Sequence, residues 1–150
     1  MILVFYAVFY RKTLVDVDWP LLVFFLLAFV DFRSLSTVPA VSELFLRNVD
    51  TGSQLHIFLL SVLLSQAVSN VPAVFFTSGL SNRWLPIAYG VNVGGNGLVT
   101  GSLANFIAIR LMAGETLRDG ENVWVLFHRY SLVFFAVTVA EAAFVLWAVF

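Results

Sequence analysis

Cysteine is absent from the 150 residues, and histidine is limited to His56 and His128, far apart in the chain. Disulfides, thiolate chemistry and clustered Cys/His metal sites are thereby excluded. Charge is scarce as well, at 11% of residues against about a quarter in a soluble domain. The net charge of −1 leaves no basic footprint for nucleic acid and no acidic tail. With so few polar groups, no pair of carboxylates in one pocket and no nucleophile-base-acid order can be assembled. The stretch GVNVGGNG follows no strand, so it is no dinucleotide fingerprint. These absences point away from an enzyme and from a resident cofactor.

What remains is oil. The chain is 61% hydrophobic, with 16 phenylalanines, and its mean hydropathy is +0.95. That composition predicts an all-α integral membrane protein whose first partner is the lipid bilayer. Met1 to Tyr10 is apolar with no basic region before it, unlike a secretory signal. It would make about 15 Å of helix, half a crossing. We expect it to complete a bundle with another polypeptide, or the chain to begin partway through a helix.

Arg11 and Lys12 end that run, and Asp16 and Asp18 keep the next loop wet. Trp19 to Phe32 supplies the apolar body of a membrane helix, with Pro20 tolerated in the first turn and Trp19 suited to the interface. Ser34 to Gln54 reads as a loop or surface helix. Leu55 to Leu80 could make one long tilted crossing, but Ser69, Asn70 and Pro72 sit near its middle. Proline removes a helix hydrogen bond and pushes Val71 off helical angles, so the helix is predicted to break there. Two arms about half a bilayer long then suit a re-entrant hairpin with a polar tip.

After a polar turn from Ser81 to Trp84 comes Gly90 to Ile109, GVNVGGNGLVTGSLANFIAI. In hydrocarbon an unpaired amide or carbonyl costs several kcal/mol, so glycines and asparagines in mid-run signal a purpose. The reading is a discontinuous helix: Leu85 to Val93 helical, Gly94 to Thr100 unwound, Gly101 to Met112 helical again. Freed carbonyls would suit a cation, and the start of the second half-helix an anion. Gly94 and Gly95 permit close backbone approach, while Asn96, Ser102 and Asn105 offer neutral polar groups. The competing reading is plain helix packing through a Gly97 to Gly101 spacing.

Met112 to Tyr130 is expected to be a polar loop, and Ser131 to Phe150 the cleanest crossing, interrupted only by Glu141. An acid at such depth is by default functional, here as a proton carrier, against the alternative of an interfacial or paired acid. If the hairpin returns to its own side, Arg33, Arg47 and Arg83 share one face. Arg11, Lys12, Arg110, Arg118 and Arg129 share the other, which the positive-inside rule makes cytoplasmic. The hairpin then enters from outside.

Ser69-Asn70-Val71-Pro72, followed by Gly94-Gly95-Asn96 and Gly101-Ser102-Leu103-Ala104-Asn105, resembles the ion transporter superfamily: the citrate transporter-like, arsenite permease and sodium/proton antiporter families. Such transporters have two inverted repeats, each with a hairpin bearing a Ser-Asn tip and a broken helix bearing a glycine-rich loop. This chain resembles the second repeat alone, with the motifs confined to 55–112. The resemblance implies that Ser69, Asn70, Gly94, Gly95, Asn96, Gly101 and Asn105 line the substrate or ion site. Leu98-Val99 stands where members often have Thr-Pro, so Thr100 only partly replaces a hydroxyl ligand. Val71 stands where the dicarboxylate branch has threonine, which tilts the likeness toward the arsenite and antiporter branches.

The sequence therefore predicts a single half-transporter-like membrane domain, 1–150, of a bacterial-type inner membrane. Residues 1–54 would be scaffold helices and loop, 55–112 the hairpin and broken helix, and 131–150 the last transmembrane helix. Its function would be secondary active transport of an inorganic or carboxylate anion by alternating access. Na⁺ would couple at Asn70, Asn96 and Asn105, or H⁺ would serve instead. A second half-transporter chain or another copy would complete it. The rival is a non-transporting membrane subunit or transporter fragment with a structural role. A channel is a third reading, but no ring of acids or filter sequence speaks for it.

Overall fold

The computed structural model describes residues 19–112 and 122–149, and every described regular element is helical. The expectations for Met1 to Asp18 and for 113–121 lie outside the described residues. Helix α1, Trp19–Leu35, carries Pro20 where its missing N–H is no loss. It ends as the Ser36 and Thr37 hydroxyls donate to the Arg33 and Ser34 carbonyls at 2.6 and 2.7 Å. Helix α2, Pro39–Asn48, opens on a proline and leaves α1 at 68°.

The next three helices decide where the site falls. They are α3, Gln54–Val68; α4, Asn70–Leu80; and α5, Trp84–Gly94. Gly90 sits on Phe58 and Ser61, and Gly94 on Val62 and Ser65. A four-residue step on α5 matches a four-residue step in the same sense on α3, so the two helices run in parallel. Asn70, at the start of α4, lies beside Gly95, just past the end of α5, with Nδ2 3.3 Å from where a Cβ would stand. Thus α4 runs against its neighbours, and the chain folds back on itself at Ser69. Ile57, Ala73, Ile87 and Val91 form the core where the three meet.

After α5 come a 3₁₀ turn at Val99–Gly101 and α6, Leu103–Met112. Helix α7, Val123–Val149, measures its neighbours. Val123 packs with Ile109, the Ser131 hydroxyl donates to the Gly97 carbonyl, and Leu146 shares a pocket with Gln54 and Arg83. So α5 and α6 lie end to end along α7, with the interruption between them. Among the described residues α7 alone is a single helix long and apolar enough to cross a membrane. The 15 residues of α3 span about 22 Å, short of a hydrocarbon core of roughly 30 Å.

Three sequence expectations are corrected. Pro72 lies in the first turn of α4 rather than breaking a helix, because there its nitrogen has no intrahelical partner to lose; of the expected polar tip it is Ser69 at which the helix stops, and Val71 is helical. Of the expected loop from Met112 to Tyr130, residues 123–130 are the first turns of α7, where Val123 and Phe127 pack on Ile109. The half-helix expected from Gly101 begins at Leu103, since the Ser102 hydroxyl accepts from the Ala104 N–H at 3.2 Å as a cap.

Small residues set the closest approaches. A Cβ on Gly79 would stand 1.7 Å from Ser36 Oγ and 2.6 Å from its Cβ, so α4 meets the end of α1 with no room for a methyl. Beside this crossing Phe29 and Phe75 stack at 4.5 Å. Gly79→Ala is expected to destabilise the protein by about 1–3 kcal/mol through overpacking. Adding Ser36→Gly should recover most of that loss, a coupling that denaturation midpoints of the two single variants and the double variant in detergent would read. Independent, additive effects would contradict the packing.

Candidate functional site

Both interruptions lie at one level, because the parallel α3 and α5 each end there. Ser69 has φ 79° and ψ 153°, the one non-glycine with positive φ among the described residues. That region of backbone space is essentially glycine-only and costs a side-chain-bearing residue about 1–3 kcal/mol. Its hydroxyl donates to Asn70 Oδ1 at 3.4 Å. Asn70 opens α4, and its Nδ2 lies 3.3 Å from where a Cβ on Gly95 would be, so the tip faces the glycine loop directly.

The loop is held mostly by side chains. Asn105, on α6, donates through Nδ2 to the carbonyls of Gly95 and Leu98 at 2.7 and 3.1 Å. Ser131 caps the Gly97 carbonyl at 2.8 Å. Gln66, in the last turn of α3, donates through Nε2 to the Gly94 carbonyl and accepts the Leu98 N–H on Oε1 at 2.7 Å. The Thr100 hydroxyl donates at 2.7 Å to the Gln66 carbonyl, which the end of α3 has left without a helical partner. Gly94, Gly95, Gly97 and Gly101 are buried. The Gly97 to Gly101 spacing serves no contact between helices: a Cβ on Gly97 would meet the Gln66 amide at 2.7 Å, and one on Gly101 the Gly94 carbonyl oxygen at the same distance.

Ser65 adds a polar atom that the sequence reading passed over. Its residue is fully buried, and its hydroxyl has no hydrogen-bond partner. Ser61, one turn earlier, donates to the Ile57 carbonyl at 2.7 Å in the ordinary helical way. Ser65 instead abuts Gly94, with Oγ 3.0 Å from where a Cβ would stand.

Beside the junction is a cavity of about 370 Å³ with Ser69, Thr100 and Ser102 along its polar side and Phe24, Phe25, Phe32 and Phe106 among its apolar walls. Among the described residues no charged side chain lines it. Thus of the residues singled out from sequence, Ser69, Asn70, Gly94, Gly95, Thr100, Gly101, Ser102 and Asn105 are brought to one place. Asn96 is half-buried in the loop and makes no side-chain hydrogen bond. Glu141 is not brought there: it lies exposed on α7, ten positions beyond Ser131, or about 15 Å along the axis. Among the described residues no three carboxylates or imidazoles cluster, so a cation at the junction would find neutral oxygens.

A helical fold with two interrupted segments meeting at a neutral polar junction is the class this geometry defines. No family model matches the chain, and no solved structure does. Among curated proteins it is similar to the inner membrane protein YbiR of Escherichia coli, 36% identical over 85% of this chain and 32% of that protein. It is 41% identical to an uncharacterized transporter of Methanocaldococcus jannaschii over 67% of this chain and 28% of that one. A third likeness, 29% identical, is to an uncharacterized transporter of Synechocystis, over 90% and 37% of the two chains. The chain spans about a third of the length of these relatives. At that coarse level they support a membrane protein of transporter kind.

The strain at Ser69 gives a test. Ser69→Gly removes about 1–3 kcal/mol of backbone strain and returns up to about 1 kcal/mol through the looser unfolded chain. It should therefore raise stability by about 1 kcal/mol, while Ser69→Ala, with the same Cβ, should not. Equal midpoints for the two variants in detergent would contradict the strained tip.

Proposed function

We propose that this chain forms part of a secondary active transporter of the ion transporter superfamily, moving a small inorganic or carboxylate anion by alternating access. The observation that carries the reading is the meeting of the Ser69-Asn70 tip with the Gly94 to Gly101 loop at one neutral polar junction. In a membrane, irregular backbone is tolerated only where protein or an aqueous cavity covers it, and transporters use such interruptions as binding sites. Depth agrees with this. The 11 residues of α5 and the 10 of α6 put about 15 Å of helix on either side of the loop, between Arg83 at one end and Arg110 at the other. On this reading α3 and α4 form a re-entrant hairpin, and α5 with α6 a discontinuous membrane helix.

The ligand roles follow from the donor set. Asn70 Oδ1, the free Asn105 Oδ1, Asn96 and the orphaned Ser65 hydroxyl supply neutral oxygens for Na⁺. The Ser102-capped start of α6 presents amides to the anion. Should H⁺ be the coupling ion, Glu141 is its carrier. A second half-transporter chain, or another copy of this one, provides the opposing repeat, and the hairpin enters from the outer face of an inner membrane.

One observation favours a rival. The loop carbonyls of Gly94, Gly95, Gly97 and Leu98 already accept from Gln66, Asn105 and Ser131, so these carbonyls need no ligand and the loop would serve a purely structural subunit equally. Uptake into proteoliposomes separates the two. With Na⁺ or pH gradients imposed and citrate, arsenite and sulfate offered, one anion should accumulate, and Asn70→Ala should lower that uptake at least about tenfold, the size of one lost charge-assisted ligand contact, while the protein remains in the membrane. Uptake unchanged in Asn70→Ala refutes the site; no gradient-driven uptake of any anion, with the completing chain present, favours the structural subunit. Glu141→Gln should abolish the pH-driven component alone.

A further inference from the structure

The geometry points to Gln66 as the positioning residue that fastens the first arm of the hairpin to the glycine loop, so that the two interrupted segments move as one body. Its significance for transport rests on the carrier reading; the fastening itself does not.

Gln66 belongs to none of the sequence motifs, yet it holds three points of the loop. Where α5 stops, its Nε2 donates to the Gly94 carbonyl. Four residues later its Oε1 accepts the Leu98 N–H at 2.7 Å. Its own carbonyl accepts the Thr100 hydroxyl at 2.7 Å. A carboxamide offers a donor and an acceptor side by side without charge and without depending on its protonation state. Glutamate keeps the acceptor and loses the donor; methionine, of similar length, loses both.

The fit is close on the loop side. A Cβ on Gly97 would stand 2.7 Å from both Nε2 and Oε1 of Gln66 and 2.9 Å from its Cδ, and one on Gly101 would stand 3.3 Å from Nε2. Gly97 is therefore small because the carboxamide lies against it, whereas Gly101 is held small first by the Gly94 carbonyl oxygen at 2.7 Å. Apart from the Thr100 hydroxyl, no other described side chain bonds the end of α3 to the loop: Asn105 ties the loop to α6, and Ser131 ties it to α7. With the Gln66 side chain removed, the Thr100 bond to the backbone carbonyl of residue 66 would be the one hydrogen bond left among the described residues between this arm and the loop, beside van der Waals contacts such as those of Ser65 and Val62 on Gly94.

Amide hydrogen exchange in detergent, read at Leu98 and along α7, tests this on the whole chain. In Gln66→Met the Leu98 amide should exchange about tenfold faster or more while α7 keeps its protection, since one local bond is lost and the global fold is not. In Gln66→Glu the surviving acceptor should leave Leu98 protected, a partial rescue that side-chain volume alone would not separate from methionine. In addition, Gly97→Ala should destabilise the wild-type chain and be tolerated in Gln66→Ala, where the obstructing amide is gone. Leu98 exchange unchanged in Gln66→Met would overturn the proposal, and so would an equal rise along α7, which would make Gln66 a general determinant of folding. The exchange needs no substrate, so a failure of anion uptake would remove the carrier reading and leave the clamp standing.

Discussion

An amide or carbonyl taken out of water must find another partner, and in this chain that demand falls on two short gaps. A continuous helix satisfies its backbone internally. The chain gives that up after Val68 and again after Gly94, and the second loss is made good largely by side chains from other helices. Asn105 handles two carbonyls, Ser131 one, and Gln66 a carbonyl and an amide, while Thr100 returns the favour to the carbonyl of Gln66. Each of these bonds contributes only about 0.5–1.5 kcal/mol net, but leaving a buried partner unmade costs about 1–3 kcal/mol, so the set holds the loop more by what its absence would cost than by its own strength.

Such bonds are available only because the helices that carry them come close. Gly90 and Gly94 on α5 face Ser61 and Ser65 on α3, a spacing of four on both sides, and the glycine positions would bring a Cβ within 2.6 Å of the serine Cβ atoms. In an apolar solvent helix association gains little from the hydrophobic effect and depends on such close packing of small residues. The parallel approach has a second consequence. It fixes the end of α3 against the end of α5, which is why the tip and the loop fall at the same level rather than at opposite ends of the bundle. Packing and site are thus one arrangement seen at two heights.

Much of this was legible in the sequence, and the parts that were not share a reason. Ser69-Asn70-Val71-Pro72 and Gly94 to Gly101 announce themselves because polar and small residues are rare in a chain 61% hydrophobic. Their neighbourhood is what the structure brings together. Gln66 gives no comparable signal: a lone glutamine between Ser65 and Ala67 reads as a tolerated polar residue near a helix end, and its partners lie 28 to 34 positions away. Ser131 and Ser65 were hidden in the same way, one at the assumed start of a crossing and one inside an apolar run. The start of α7 is masked in the sequence because Glu115, Arg118, Asp119, Glu121 and Arg129 outweigh the apolar Val123, Trp124, Val125, Leu126 and Phe127 among them. On a helix, charges two positions from a buried contact can point elsewhere: Arg129 is exposed, whereas Ser131 reaches Gly97.

The neutrality of the junction bears on what a carrier of this kind could hold. Among the described residues the cavity beside the tip has hydroxyls and aromatic walls but no arginine or lysine, and the loop carbonyls beside it each have one lone pair already engaged. An anion entering such a place would surrender hydration worth many kcal/mol and recover only neutral hydrogen bonds and a helix terminus in return. A cation alone faces the same deficit with fewer carbonyls at its disposal. Bound together, each supplies the countercharge that the protein withholds, and either one alone is poorly held. On the carrier reading, coupling therefore needs no separate device: a site built without charge makes each ion the condition for the other.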